Sequence, residues 1–229
     1  MNAGMILAGG TGNRFGGDIP KQYCKLAGKP VIEYSIEAMQ ACGKIDMILV
    51  ICGAIYKERL EAKYPVTCIE GGMTRNESLH NGIRFLAEKI PKCETLLIQE
   101  AARPFLRAEI AADYIDKLKD YDAVITAQKI TDSLGSNREW IVDREDFFLV
   151  QAPEAFRFEL LQEHFDPASR ITATYQQLPS DSTIYYNFSF PNNLKITYQQ
   201  DLNLAELIRK KMCSIKSNQL CMYRTQREC

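Results

Sequence analysis

The strongest constraint on the fold is a regular alternation of strand-like and helix-like segments over the first 127 residues. Short, continuous apolar runs such as 47–52 are typical of strands buried on both faces of a parallel sheet. Between them, residues such as Leu79, Ile83 and Leu86 recur at helical spacing. We predict strands at 3–8, 47–52, 66–69, 95–98 and 123–127, and helices from Pro30 to Gly43 and at 56–63, 78–88 and 108–118. This order predicts βαβ units, an α/β fold and a mostly parallel sheet.

The alternation stops after residue 127. The turn-forming sequence Ser133-Leu-Gly-Ser-Asn137 separates two strand-like pieces, so we expect a β-hairpin arm at about 129–150. Helical patterns return at 156–164 and 202–211. A length of 229 residues suits one domain, and the last helical pattern ends at residue 211, so we predict a single domain over 1–212. We expect the polar segment 213–229 to form a frayed tail.

Charge and composition exclude several classes of protein. Lys and Arg (28) nearly balance Asp and Glu (29), so no excess of positive charge favours nucleic acid as a partner. No apolar run approaches the ~20 residues that span a membrane. The eight cysteines are scattered without a CxxC pair, which argues against a zinc site or a disulfide framework. We expect free thiols and a cytoplasmic protein.

A glycine-rich loop follows the first predicted strand and carries the clearest chemical signal. Its sequence is Gly9-Gly10-Thr-Gly12-Asn-Arg14, and Lys21 lies shortly after it. Glycines let backbone N–H groups approach phosphate oxygens, and the two cations supply the charge that a triphosphate needs. Neither a Walker loop nor a complete G-x-G-x-x-G fingerprint is present. A tight turn with a solvated basic flank remains the alternative.

Four sequence blocks resemble, in the same order, the cytidylyltransferases that act on polyol phosphates. This family includes 2-C-methyl-D-erythritol 4-phosphate cytidylyltransferase and ribitol-5-phosphate cytidylyltransferase. The blocks are Ala8-Gly9-Gly10-x-Gly12-x-Arg14 with Pro20-Lys21-Gln22-Tyr23, Gly71-Gly72-Met-Thr-Arg75-Asn76-Glu77-Ser78, Ala101-Ala102-Arg103-Pro104-Phe105, and Asn193-Leu-Lys195-Ile-Thr197. Each block alone is a weak signal, whereas four in order are a strong one. The resemblance covers roughly residues 3 to 210.

The resemblance implies a Rossmann-like, mostly parallel sheet flanked by helices, of the nucleotide-diphospho-sugar transferase type, with a β-hairpin arm. It implies transfer of CMP from CTP to ribitol 5-phosphate or 2-C-methyl-D-erythritol 4-phosphate, giving a CDP-polyol and pyrophosphate. It also implies a Mg²⁺ cofactor and a homodimer formed through the arm. The residues that match the family's functional positions are Arg14, Lys21 and Lys195 for catalysis, Ala8, Gly9, Gly10, Gly12, Gly72, Arg75 and Ser78 for CTP, Arg103, Ser133, Arg144 and Thr197 for the acceptor, and Glu100 for the metal.

Departures from the family pattern lie mainly on the acceptor side. Gln99-Glu100 replaces the usual His-Asp, and Ala152 replaces a threonine whose hydroxyl would contact the substrate phosphate. A different sugar or polyol phosphate is therefore an alternative acceptor. A degenerate CTP-binding module without turnover is another alternative. Two assigned arginines also have simpler interpretations, because Arg103 can pair with an acidic neighbour such as Glu109, and Arg144 can be a solvated charge on the arm.

Overall fold

A computed structural model describes residues 1–10, 12 and 14–225, with side chains as far as Met212 in the last helix. Its strands are β1 (Asn2–Leu7), β2 (Lys25–Leu26), β3 (Lys29–Pro30), β4 (Met47–Cys52), β5 (Thr67–Glu70), β6 (Thr95–Glu100), β7 (Ala123–Lys129), β8 (Phe148–Arg157) and β9 (Ile184–Asn187). Its α-helices are α1 (Val31–Ala41), α2 (Ala54–Lys63), α3 (Arg75–Lys89), α4 (Ala108–Lys117), α5 (Phe158–His164) and α6 (Gln199–Thr225).

Seven of the described strands form one sheet, in the order β5-β4-β1-β6-β8-β7-β9. Strand β1 lies at its centre and pairs in parallel with β4 and with β6, so that Ala3 faces Met47 on one side and Leu96 on the other. Strand β8 runs antiparallel to both of its neighbours, β6 and β7. The predicted mostly parallel sheet is therefore confirmed, with one reversed strand that the sequence pattern does not reveal.

Each central strand contributes side chains to two hydrophobic cores. In β4, Ile48 and Val50 belong to the core beneath α1, α2 and α4, whereas Leu49 and Ile51 belong to the core beneath α3 and α5. All four side chains are almost fully buried. A strand covered by helices on both faces needs apolar residues at every position, which explains the continuous apolar runs in the sequence.

A third, smaller core attaches helix α6 to the front of the domain. Ile196 and Ala205 pack with Leu26, Val31 and neighbouring apolar side chains from the small β2–β3 hairpin and α1. This packing brings the segment before α6 to the carboxyl end of the sheet. Across the described part of the chain, no helix combines the length and apolar composition that crossing a bilayer requires.

The predicted elements agree with the structure except near their ends and after residue 127. Helix α1 follows Pro30, and Gly43 adopts a positive φ of 69° just beyond its end, a conformation that often terminates a helix. The helix predicted from residue 156 is wrong at its start, because Phe156 and Arg157 belong to β8. Phe156 pairs with Leu96 of β6, and a short apolar run does not distinguish strand from helix.

The arm and the C-terminal segment differ from the predictions. Lys129 of β7 faces Phe148 of β8, so the predicted hairpin exists at its base. Residues 130–147 contain no strand and include one 3-10 turn, Arg144–Asp146, so the arm is mainly an extended loop. Helix α6 continues to Thr225, which makes most of the expected frayed tail helical. Residues 226–229 lie outside the described part of the chain.

Candidate active site

The carboxyl ends of β1, β5 and β6 border a cleft of about 430 Å³. Ligands of open α/β sheets bind at this edge, beside the point where the strand order reverses, and here β1 is that point. The cleft is lined by Leu7, Ala8, Gly9, Gly10, Lys21, Gln22, Gly72, Met73, Thr74, Arg75, Ser78, Glu100, Ala101, Ala102 and Lys195. The fold thus brings residues of all four sequence blocks into one concave site.

The glycine loop enters this cleft only with its first half. Gly9 and Gly10 line the cleft, and a Cβ at Gly10 would meet no atom within 4 Å, so the backbone is open to a ligand. Gly12 has a φ of 75° and accepts a hydrogen bond from the Phe15 N–H, which makes it a turn residue outside the lining. Arg14 is exposed and also lies outside the lining.

Two lysines give the cleft its positive charge. Lys21 begins a 3-10 turn directly after Pro20, and its half-buried side chain lines the cleft together with Lys195. Burial lowers the pKa of Lys21, the positive charges of Lys195 and Arg14 lower it further, and Glu100 partly opposes them. This mutual repulsion makes the cleft a favourable place for an anion, because a bound phosphate would relieve it.

The N-terminus of α3 forms the other end of the cleft. Thr74 caps the helix by accepting the Glu77 N–H at 3.1 Å, and Glu77 in turn accepts the Met73 N–H at 2.7 Å. Ser78 Oγ accepts the Gly72 N–H at 3.0 Å and donates to the Thr74 carbonyl at 2.9 Å. A Cβ on Gly72 would lie 2.3 Å from the Glu77 Cβ, so only glycine fits there.

Arg75 lines the cleft, but its guanidinium is already held by the protein. It pairs with Glu154 at 3.1 Å and donates to the Thr174 hydroxyl at 3.2 Å and the Thr172 carbonyl at 3.0 Å. The Glu154 side chain is almost fully buried, and burial raises its pKa while Arg75 opposes that effect. Sequence reasoning missed Glu154, because 79 positions separate it from its partner.

Glu100 joins two cations at the end of β6. Its carboxylate accepts from Lys195 Nζ at 2.8 Å and from Arg103 Nε at 2.9 Å. Burial alone would raise the pKa of Glu100, but the charges and hydrogen bonds of Lys195 and Arg103 outweigh it and lower the pKa to about 2. The acidic partner of Arg103 is therefore Glu100 and not Glu109. Arg103 also donates a hydrogen bond to the Asn193 carbonyl at 2.7 Å.

A second cleft of about 890 Å³ adjoins the first and shares Lys195 with it. Its lining combines cations, amides, hydroxyls and aromatic side chains, namely Arg103, Ala127, Gln128, Lys129, Thr131, Gln151, Phe188, Ser189, Phe190, Pro191, Asn192, Asn193, Leu194, Lys195 and Ile208. Cations together with amide groups suit a ligand that has both a phosphate and hydroxyl groups. Lys195 therefore stands where two ligands in neighbouring clefts would meet.

The family model for 2-C-methyl-D-erythritol 4-phosphate cytidylyltransferase (IspD) matches residues 3–211, almost the whole domain. The chain belongs to this family. It is similar to the 2-C-methyl-D-erythritol 4-phosphate cytidylyltransferase of Thermotoga neapolitana, with 30% identity over 228 residues that cover 92% of this chain and 98% of the relative. It is also similar to the ribitol-5-phosphate cytidylyltransferase of Lacticaseibacillus paracasei, with 25% identity over 224 residues that cover 89% and 96%.

Solved structures of the IspD family have the same fold. The 4-diphosphocytidyl-2C-methyl-D-erythritol synthase of Anaerococcus prevotii matches with a TM-score of 0.77 at 22% identity, covering 91% of this chain and 98% of the other. The 2-C-methyl-D-erythritol 4-phosphate cytidylyltransferase of Thermus thermophilus matches with a TM-score of 0.73 at 22% identity, covering 92% and 100%. The α/β fold class and the flanking helices predicted from the sequence are thus confirmed.

Three residues that match IspD-family acceptor positions lie outside both clefts. Ser133 and Arg144 belong to the arm, where Arg144 donates to the Thr131 carbonyl and pairs with Glu145. Thr197 lies just beyond Lys195, and its N–H donates to Asp201 at 2.8 Å. These residues therefore do not border the volume of either cleft.

A divalent cation that binds next to phosphates is usually held by one or two carboxylates of the protein. Among the described residues, no group of three or more His, Cys, Asp and Glu side chains is arranged to hold an ion. Glu100 is the single carboxylate among the described residues that line the first cleft. Such a residue suits Mg²⁺, which proteins often bind through one or two carboxylates together with substrate phosphates.

Proposed function

We propose that this chain transfers CMP from CTP to a polyol phosphate, with CTP in the first cleft and the acceptor in the second. The observation that supports this assignment best is Lys195, which lines both clefts. A reaction that joins two phosphates must take place where their binding sites meet, and a cation there offsets the repulsion between the two anions. Membership of the IspD family supports the same chemistry.

In the proposed reaction, an oxygen of the acceptor phosphate attacks the α-phosphorus of CTP. The new P–O bond forms as the bond between the α-phosphorus and its bridging oxygen breaks, and pyrophosphate leaves. Lys21 and Lys195 stabilise the negative charge that accumulates around the α-phosphate. Arg14 lies close enough for its positive charge to lower the pKa of Lys21. Ser78 and the backbone of Gly72 bound the end of the cleft that we assign to cytosine, and the backbone of Ala8 and Gly9 lines the rest of the cleft that we assign to CTP.

We assign the acceptor phosphate to Arg103 and Lys195, which line the second cleft and are held in place by Glu100. The amide side chains of Gln128 and Gln151 line the same cleft and suit the hydroxyl groups of a polyol. The two curated relatives act, by name, on methylerythritol 4-phosphate and on ribitol 5-phosphate, and both remain candidate acceptors.

We propose that Mg²⁺ is the cofactor and that Glu100 helps to hold it. Bound Mg²⁺ would neutralise charge on the triphosphate. Because both carboxylate oxygens of Glu100 accept hydrogen bonds from Lys195 and Arg103, we expect one of these bonds to be released when the metal and CTP bind.

We propose that the arm joins two copies into a homodimer. Trp140 and Ile141 on the arm are 99% and 85% exposed, an unusual position for two large apolar side chains next to each other. A second copy would cover them and would place Arg144 and Ser133 near the partner's acceptor cleft. Trp140→Ser should therefore shift the protein toward monomer in analytical ultracentrifugation, and an unchanged sedimentation coefficient would contradict this assembly.

The five cysteines whose side chains are described are free thiols, which fits the proposed location in the cytoplasm.

The decisive experiment is to incubate the protein with CTP, Mg²⁺ and a panel of phosphates and to measure product masses. Ribitol 5-phosphate, 2-C-methyl-D-erythritol 4-phosphate, glycerol phosphate and several cyclic sugar phosphates form the panel. We expect pyrophosphate and a CDP-polyol with one of the linear polyols. Formation of a CDP-sugar would instead identify a sugar phosphate as the acceptor. The buried Ala152, which stands where the family has a threonine hydroxyl, is a reason to include this alternative in the panel. CTP binding without turnover on any member would identify a degenerate module instead.

A further inference from the structure

Gln22 is a buried polar side chain at the floor of the nucleotide cleft. It is 3% exposed and follows Lys21 in the same 3-10 turn. Its Nε2 donates to the Ala8 carbonyl at 2.7 Å and to the Gly10 carbonyl at 2.8 Å. These two carbonyls flank Gly9, so one side chain holds the backbone on both sides of the first glycine of the loop.

The chemistry of the primary amide suits this task closely. Nε2 has two hydrogens and both are used on the loop carbonyls. A carbonyl oxygen that turned toward a triphosphate would repel it, whereas a carbonyl bonded to Gln22 is held away from that position. The Ala8 N–H also donates to the Ile51 carbonyl at 2.7 Å, which fixes the loop to β4 as well.

The same turn connects the glycine loop to Lys21. The Tyr23 N–H donates to the Pro20 carbonyl at 2.8 Å and the Cys24 N–H to the Lys21 carbonyl at 3.2 Å, so the turn is itself constrained. Gln22 bonds to the loop while the neighbouring side chain lines the cleft. A rotation of the loop therefore cannot occur without breaking two hydrogen bonds next to Lys21.

We propose that Gln22 is a positioning residue that sets the glycine loop and Lys21 in one fixed arrangement around the triphosphate of CTP. This inference rests on the proposed function. It differs from a purely structural role because it predicts a loss that depends on the phosphates of the nucleotide. The cytosine end of the cleft, at Gly72 and Ser78, has no direct hydrogen bond to Gln22 in the described structure.

The test uses Gln22→Met, which keeps the side-chain length and removes both donors, with Gln40→Met on the exposed surface of α1 as the matched control. Pyrophosphate release is measured as a function of CTP, and cytidine is added as a competitive inhibitor that lacks phosphates. We expect kcat/KM for CTP to fall about 10–100-fold in Gln22→Met, because small displacements of positioning groups have effects of this size. The inhibition constant of cytidine should change less than about twofold, since the base end of the cleft is unaltered.

A second variant keeps the test decisive if Gln22→Met does not fold. Gln22→Glu has nearly the same shape but places carboxylate oxygens against two carbonyl oxygens, so its loss in kcat/KM for CTP should exceed that of Gln22→Met. An unchanged kcat/KM for CTP in either folded variant would overturn the proposal, and so would equal weakening of CTP and cytidine. If the wild-type protein releases no pyrophosphate with any acceptor, the proposed function is wrong. If the wild type is active and the Gln22 variants have the same kcat/KM for CTP, only the proposed role of Gln22 is wrong.

Discussion

Replacing Glu100 with glutamine should destabilise the protein in a pH-dependent manner. Glu100→Gln keeps the size of the side chain but removes the charge that Lys195 and Arg103 share. Its amide nitrogen would also face one of two cationic donors. The side chain of Glu100 is 18% exposed, so solvent screens these ion pairs only weakly.

The magnitude follows from the pKa of Glu100, which is lowered from the usual 4.5 to about 2. At neutral pH this difference corresponds to a stabilisation of about 3 kcal/mol, because one pH unit equals about 1.4 kcal/mol. The folded-state pKa lies below the unfolded-state value. The stabilisation is therefore complete above pH 4.5 and is lost as the pH falls toward 2. Between neutral pH and about pH 3.5, the advantage of wild type over Glu100→Gln should shrink by about 1.4 kcal/mol.

Urea unfolding followed by far-UV circular dichroism is the suitable measurement. Fluorescence is a poor probe here, because the single tryptophan, Trp140, is 99% exposed on the arm. Glu159→Gln, at an exposed position of α5, serves as the control and should leave the free energy of unfolding nearly unchanged. Equal stability of wild type and Glu100→Gln at neutral pH, or a difference that does not shrink in acid, would refute this reasoning.

Three further substitutions test the site. Lys21→Ala should lower kcat about 10²–10³-fold in the pyrophosphate assay, the usual loss for one donor of charge stabilisation. Gly72→Ala should raise KM for CTP strongly or lower the melting temperature, because the new Cβ would lie 2.3 Å from the Glu77 Cβ. Glu154→Ala should lower the free energy of unfolding by about 1–3 kcal/mol, measured in urea, because it removes the hydrogen bonds that Glu154 accepts from Arg75 and Thr174.

Matched variants separate these effects from general damage. Lys25→Ala removes an exposed lysine near Lys21, and Gly135→Ala adds a methyl group where no atom lies within 4 Å. Both should behave as wild type. If Lys21→Ala also keeps full turnover, the assignment of the phosphate loop is wrong. If Gly135→Ala is as harmful as Gly72→Ala, steric conflict is not the cause.

The sequence alone determined the layers of the fold and indicated most of the residues that line the cleft proposed to bind CTP. Continuous apolar runs and helical spacing located the parallel strands and their helices, because burial on one or both faces dictates those patterns directly. The glycine loop and Lys21 were identifiable as a candidate phosphate site because phosphate binding requires particular residue types at short spacing, whereas the block around Gly72 was identified only by its resemblance to the family. Local patterns of this kind need no knowledge of distant contacts.

Only the tertiary structure decided which distant residues meet. The direction of β8 was hidden, because a buried strand has the same apolar run whether it is parallel or antiparallel. The pairing of Glu100 with Lys195 joins positions 95 residues apart, and the contacts of Glu154 and Gln22 likewise depend on packing. Sequence periodicity specifies which face of an element is buried. The partner that a polar side chain finds there is decided only when the layers pack and most buried donors and acceptors have to find a hydrogen-bond partner.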